Sequence, residues 1–193
     1  MRFLILTLAF SLSAGCSHRV EISKLNVDKV SFPEVVGIVG KDRALRLKSV
    51  PKGDYLRVSL TSDIDLVSLA TNGSVSVAEN ARYCDEQADL RRLTLSGIHS
   101  GGKSVFDWTR EYLFQPHDFS SKTYDVLFFL ELEENAFGSE WNPTLNHLGH
   151  SLESDAKDVC LSIKGGHKGG VRVRSNEIRI EYSEIEKAIG ETK

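Results

Sequence analysis

The fold class this sequence predicts is a mostly β, antiparallel sandwich with a short C-terminal helix, and three observations predict it. Apolar residues recur with period two, as in Tyr55-Leu56-Arg57-Val58-Ser59-Leu60, where Leu56, Val58 and Leu60 share one face. Eight or more short strand-like runs are separated by turn residues, the spacing of a sandwich. Helical periodicity is scarce and clearest near the C-terminus. A length of 193 residues suits one domain, and 40% hydrophobic with 26% charged residues is ordinary globular composition.

The first element is not part of that fold. Met1 and Arg2 precede an uncharged run from Phe3 to Leu12, too short for a bilayer-spanning helix of about 20 residues. Ser13, Ala14 and Gly15 follow, then Cys16. A positive start, a short apolar core and small residues make a secretory signal peptide, removed before folding. The junction Ser13-Ala14-Gly15-Cys16 resembles the lipobox of bacterial lipoproteins, with Ser13 where that family usually has Leu. The resemblance covers residues 1 to 17. It implies cleavage after residue 15, a diacylglyceryl group on the Cys16 thiol, and acylation of Cys16 as the new N-terminus. Ser17, where an Asp would retain the protein at the inner membrane, implies the outer membrane. An ordinary cleaved signal with an unmodified cysteine is the alternative. Residues 16–193 are expected to form a single envelope domain.

After the anchor come strand readings at His18–Leu25 (HRVEISKL) and at 43–50 (RALRLKSV), then a turn at Pro51-Lys52-Gly53-Asp54 and the Tyr55–Leu60 strand. DLVSLA (65–70) and SVSVAE (74–79) follow around the Asn72-Gly73 turn. Leu93 and Leu95 alternate in RRLTLS. YDVLFFLELE (124–133) is apolar on both faces through Phe129 and suits the middle of a sheet before half-exposure at Glu131 and Glu133. Val159, Leu161 and Ile163 line one face of the next strand. VRVR, SNE and IRIEY read as a hairpin, with Val171, Val173, Ile178, Ile180 and Tyr182 inward and Arg172, Arg174 and Arg179 outward. Ser183 and Glu186 form a capping-box pattern for the final helix, which Gly190 ends.

Without Cys16 two cysteines remain, Cys84 and Cys160. An even number in an oxidising compartment predicts one disulfide, with two separate buried thiols as the alternative.

Two glycine-rich stretches invite a binding role. In LSGIHSGGKS (95–104), Gly97, Gly102, Lys103 and Ser104 match the letters of a phosphate-binding loop. Such a loop needs a helix N-terminus after the glycines, and SVFDWTREYLF, with Trp108, Tyr112 and Leu113 on one side, would have to supply it. The flanking segments read as antiparallel strands, Glu131 stands where a magnesium-binding Asp is needed, and an exported protein meets essentially no ATP. A connection between strands is the expectation, with no nucleotide or other cofactor. The second stretch, KGGHKGG (164–170), carries Lys164, His167 and Lys168 beside Arg172, Arg174 and Arg179. Its glycines allow positive φ and close backbone approach, and the cations suit phosphate or carboxylate groups of a lipid or an acidic partner. A solvated hairpin tip is the plainer reading. Removal of the signal takes Arg2 away and leaves 23 Lys plus Arg against 27 Asp plus Glu, a balance that excludes a nucleic-acid binder by composition.

Signals for chemistry are weaker. His147 and His150 would share a helical face, with Glu140, Glu153, His117 or Asp118 as third ligands, but scattered loop histidines are commoner. Asp63 and Asp65 are too few for a calcium loop. His99-Ser100 are adjacent in sequence, which a catalytic triad does not require. Glu131, Glu133 and Glu134 read as a solvated strand end, and neither G-x-S-x-G nor H-E-x-x-H occurs. The expectation is a lipid-anchored envelope protein that binds a protein partner: a component of an envelope or secretion assembly, or an inhibitor of immunity type. An envelope hydrolase or metal-dependent enzyme built on the 137–154 loop is the alternative.

Overall fold

A computed structural model describes residues 17–40, 53–72, 75–85, 97–106, 122–130, 152, 155–166 and 172–190. Among them are nine strands: β1 (Ser17–Val20), β2 (Ile22–Val30), β3 (Tyr55–Ser62), β4 (Ser76–Tyr83), β5 (His99–Ser100), β6 (Lys103–Ser104), β7 (Thr123–Phe129), β8 (Val159–Gly166) and β9 (Arg172–Ile180). Three helices join them: α1 (Phe32–Val39), α2 (Leu66–Asn72) and α3 (Tyr182–Gly190). One sheet has the order β1-β9-β8-β4 and the other β2-β3-β7-β5-β6. Every pairing is antiparallel except β1 with β9. The expected readings at 43–50, Leu93 and Leu95, Trp108 to Leu113, and Val171 lie outside the described residues.

The two sheets pack face to face as a β-sandwich. Val20, Ala81, Tyr83, Leu161, Ile163, Val173 and Ile180 from the first sheet meet Ile22, Leu56, Val58, Leu60, Tyr124, Val126 and Phe128 from the second in one buried cluster. Period-two alternation therefore marks the inner face of each strand, as at β3. The apolar run of β7 is central in its sheet, with Tyr124, Val126 and Phe128 toward the sandwich core and Leu127 and Phe129 on the opposite face. That opposite face is covered by α1, where Val35 and Val39 pack on Val30, Tyr55, Leu127 and Phe129.

Where the structure departs from the sequence reading, local hydrogen bonds give the reason. HRVEISKL is two strands, since β1 belongs to one sheet and β2 to the other, with the crossing at Glu21. Asp63 holds that corner, accepting the Glu21 N–H at 2.8 Å while its own N–H donates to the Glu21 carbonyl at 3.0 Å. DLVSLA is helix α2 and not a strand. Asp65 caps it, taking the Val67 N–H at 2.8 Å and the Ser68 hydroxyl at 2.6 Å. Helix α1 was not expected; its signature is Ser31-Phe-Pro-Glu34, in which Glu34 accepts the Ser31 N–H at 2.7 Å behind a proline in the first turn. The expected capping box at Ser183 and Glu186 is replaced by a cap two residues earlier: Glu184 accepts the Glu181 N–H at 2.9 Å, and Asp158 accepts the Tyr182 N–H at 2.7 Å.

The expected hairpin at 171–182 is one continuous strand, β9, containing a bulge. Its partners slip between Ser162↔Glu177 and Lys164↔Arg174, so Ser175 and Asn176 both oppose Ile163. The Ser175 hydroxyl accepts the Ile163 N–H at 2.7 Å where the ladder is interrupted. The extra residue reverses the phase, which is why Val173 and Ile180, of opposite parity, both reach the core. It also aims the Asn176 amide across the sandwich, where Oδ1 accepts the Ile22 N–H at 2.7 Å and Nδ2 donates to the Ile22 carbonyl at 2.8 Å.

Cys84 and Cys160 form a disulfide with Cα atoms 5.0 Å apart, closing a separation of 76 residues. In the chain-entropy account a loop of that length contributes about 4 kcal/mol. Asn176→Ala is expected to lower stability by about 2 kcal/mol by stranding both polar groups of Ile22, with Asn176→Asp, which keeps only the acceptor, in between. Urea unfolding of the oxidised protein measures this, and a wild-type midpoint for Asn176→Ala would refute the joining role.

Candidate functional site

The segment that spells a phosphate-binding loop folds as a hairpin. His99 pairs with Ser104 and Ser100 with Lys103, leaving Gly101 and Gly102 as a two-residue turn with φ of 57° and 80°. Two successive positive φ values are the type I′ geometry that matches strand twist and favours Gly-Gly. The Gly97 N–H, which would begin a phosphate cradle, donates to the Glu79 carboxylate at 3.0 Å. Helix α1 packs against both short strands. Among the described residues the glycines thus make a strand connection.

His99 and Ser100 are buried, and register places His99 in a row that the sequence reading did not assemble. Asn26, Ser59, Asp125, His99 and Ser104 lie side by side across five strands on the sheet face away from the sandwich core. The Ser59 hydroxyl donates to Asp125 Oδ1 at 2.6 Å. These are acyl-transfer residue types, and Asp125, His99 and Ser104 follow the carboxylate–imidazole–hydroxyl order of a triad, but His99 and Ser104 are both buried. Asp125 within an apolar run was the signal available in sequence. Nearby, Asp28 and Arg57 form a bidentate ion pair, in which Arg57 Nε donates to Asp28 Oδ1 at 3.0 Å.

Asp63 and Asp65 serve as backbone acceptors at a corner and a helix cap. Tyr124 completes that arrangement: its hydroxyl accepts the Leu66 N–H at 2.8 Å and donates to Asp65 at 3.2 Å, while burial pushes its phenol pKa upward. No group of three or more His, Cys, Asp or Glu suited to a metal ion occurs among the described residues. His117, Asp118, Glu131, Glu133, Glu134, Glu140, His147, His150 and Glu153 lie outside them, as does all of the 137–154 loop except Leu152.

The cationic residues divide into two groups on the outer face of the first sheet. Arg174 stands in register between Arg19 on β1 and Lys164 on β8, and Arg172 lies one row further between Ser17 and Gly166. Arg172, Arg174 and Lys164 are all exposed. Among the described residues Arg172 and Arg174 have no ion pair, and the Lys164 ammonium donates at 2.9 Å to the neutral Asn80 Oδ1. Gly165 lets β4 close on β8 here, since a Cβ at that position would meet the Ser76 carbonyl oxygen at 1.9 Å. Cys16, His167 and Lys168 are outside the described residues.

Arg179 belongs to the second group. Its guanidinium holds Asp158, with Nε at 2.7 Å from Oδ2, and Asp158 in turn anchors the start of α3 through Tyr182. The Tyr182 N–H and then Arg179 hold the Asp158 carboxyl below its usual range, and Asp158 raises the Arg179 pKa. Arg82 is likewise committed to Glu177, at 3.0 Å. A cleft of about 390 Å³ opens beside the Asp158–Arg179 pair, lined by these two and by Cys84, Asp85, Ala156 and Lys157.

A carboxyl whose folded pKa is depressed adds stability above its unfolded value, near 4, and loses it as pH falls through the lower folded value. Asp158→Asn is therefore expected to flatten the acid limb of the stability profile below about pH 4, read as urea midpoints from pH 2 to 7. Parallel profiles for the two proteins would refute the assignment. Compared with protein-family models, with curated proteins and with solved structures, the chain has no match.

Proposed function

We propose that this chain is a lipid-anchored protein of a bacterial cell envelope, held through Cys16 at the outer membrane, that works by binding a protein partner. The observation that carries the reading is where the sheet begins. Ser17, next to the lipobox cysteine, is already in register with Arg172, and β1 starts there with no intervening linker. A domain tethered through a single peptide bond works at the membrane surface, within reach of envelope assemblies or of an arriving toxin or hydrolase.

The chemistry of the described polar residues supports binding over catalysis. Asp63, Asp65, Asp158 and Glu184 take backbone N–H groups at corners and helix starts. The His99 imidazole and Ser104 hydroxyl that share a row with Asp125 are buried, which withholds them from a substrate. What remains presented to solvent is a patterned sheet face with charged side chains, a surface suited to a protein or to the membrane itself.

Two measurements test this. The intact mass of protein extracted from membranes is expected to equal the chain from Cys16 plus acyl groups, with a gain of two hydrogens on reduction of Cys84–Cys160. An unprocessed or unacylated chain would refute the anchor. Crosslinking in intact cells followed by mass spectrometry is expected to recover one reproducible envelope protein, and recovery of abundant bystanders alone would count against the partner.

A further inference from the structure

We infer that the outer face of the β1-β9-β8 sheet docks onto anionic headgroups of the same membrane that holds Cys16, so that the anchor and the sheet together fix the orientation of the domain. The inference deepens the anchored reading and rests on it. It starts from a cost that the described residues offset only in part. Arg19, Arg174 and Lys164 are register neighbours on three adjacent strands, and Arg172 is two residues along from Arg174. Like charges directly opposite one another destabilise a sheet. Adjacent strands lie about 4.8 Å apart, so these cations are concentrated within about 10 Å. Glu21, which meets Arg19 at 3.0 Å, is the one acidic ion-pair partner for this group among the described residues.

The other end of the same face shows that the protein can neutralise such charges. There Arg82 is paired with Glu177 and Arg179 with Asp158. The unneutralised end is the one that faces the anchor. Arg172 and Ser17 are register partners on adjacent strands, and Cys16 follows within one Cα–Cα step of about 3.8 Å. Headgroup phosphates at the anchoring point would thus lie at a distance comparable to one Debye length, about 8 Å, from Arg172, the member of the cluster nearest to it, where screening is partial. The chain as a whole carries a net charge of −3, so attraction to an anionic surface must come from this local cluster. A chain held by acyl groups and a basic patch has the two attachments that stable, oriented membrane contact needs.

Guanidinium groups chelate phosphate oxygens in pairs, which favours phospholipid or lipopolysaccharide phosphates over a dispersed field of carboxylates. Each cation at such a surface favours the docked state by about fivefold. The test uses the acylated full chain in vesicles of phosphatidylcholine alone or with phosphatidylglycerol, treated with the arginine reagent phenylglyoxal and read residue by residue by mass spectrometry. Arg179, on the same face but paired, is the internal reference.

Labelling of Arg172 and Arg174 relative to Arg179 is expected to fall at least about fivefold in the anionic vesicles and to recover in high salt. Equal labelling in the two vesicle types would overturn headgroup docking while leaving the anchor in place. So would protection present in native membranes but absent from protein-free anionic vesicles, which would assign the face to an acidic protein. The intact mass of the same sample separates the two readings, because a chain without acyl groups would remove the anchor and this inference with it.

Discussion

The architecture depends on a single side chain bonding a foreign backbone. Asn176 offers Ile22 both an acceptor and a donor, as a neighbouring strand would, at a place where β9 and β2 belong to different sheets. A buried peptide group deprived of partners costs about as much as several surface interactions contribute. The chain can therefore leave one sheet at Val20 and enter the other at Ile22, both buried, only because the peptide between them is satisfied from the side. Asp63 completes the corner from β3. Remove the amide and the direct bonds between β2 and β9 reduce to the one from the Lys24 ammonium to the Arg179 carbonyl among the described residues.

That amide is available because β9 carries one residue too many. The bulge at Ser175-Asn176 turns a side chain that regular pairing would send outward into one that reaches across the layers, and Ser175 satisfies the amide that the slip leaves behind. The same bulge sets which arginines share a row. Before it Arg172 and Arg174 project beside β1, while after it the outward positions pass to Glu177 and Arg179, which have partners on β4 and immediately before β8. One inserted residue thus separates a neutralised half of the face from a cationic half.

Much of the fold was legible in the sequence, and its misreadings have particular causes. Period two located β3 and β8, because burial on one sheet face leaves that signature directly, and a run apolar on both faces located the centre of β7. The change of phase between Val173 and Ile178 was also read correctly as a change, but a turn and a bulge produce the same pattern of apolar residues. Only the bonds of Ser175 and Asn176 distinguish them, and those partners are more than ten and a hundred residues away in the chain. At α2 the strand expectation fails because Leu66, Val67, Leu69 and Ala70 recur at helical and not at alternating spacing, and the helix start is set by the Asp65 cap with its support from Tyr124. The cationic candidates were visible as residue types. Their division was not, since which arginine finds a carboxylate depends on register and not on spacing.

The polar row on the second sheet and the cationic rows on the first illustrate opposite uses of strand register. In the row of Asn26, Ser59, Asp125, His99 and Ser104 a single carboxylate stands among neutral polar side chains, and Ser59 is bonded to it. In the row of Arg19, Arg174 and Lys164 neighbouring side chains repel, so the arrangement gains most from an anion outside the chain. Electrostatics alone therefore predicts that the two faces of this sandwich behave differently toward salt. An ionic-strength increase relieves the first sheet's outer face and leaves the bonded polar row nearly unchanged, because screening acts on exposed charges of one sign and hardly at all on short, partly buried hydrogen bonds. A protein built this way has one face whose energy depends on its surroundings and another whose energy is settled by its own fold. The first is the one beside Ser17, where the proposed anchor would attach.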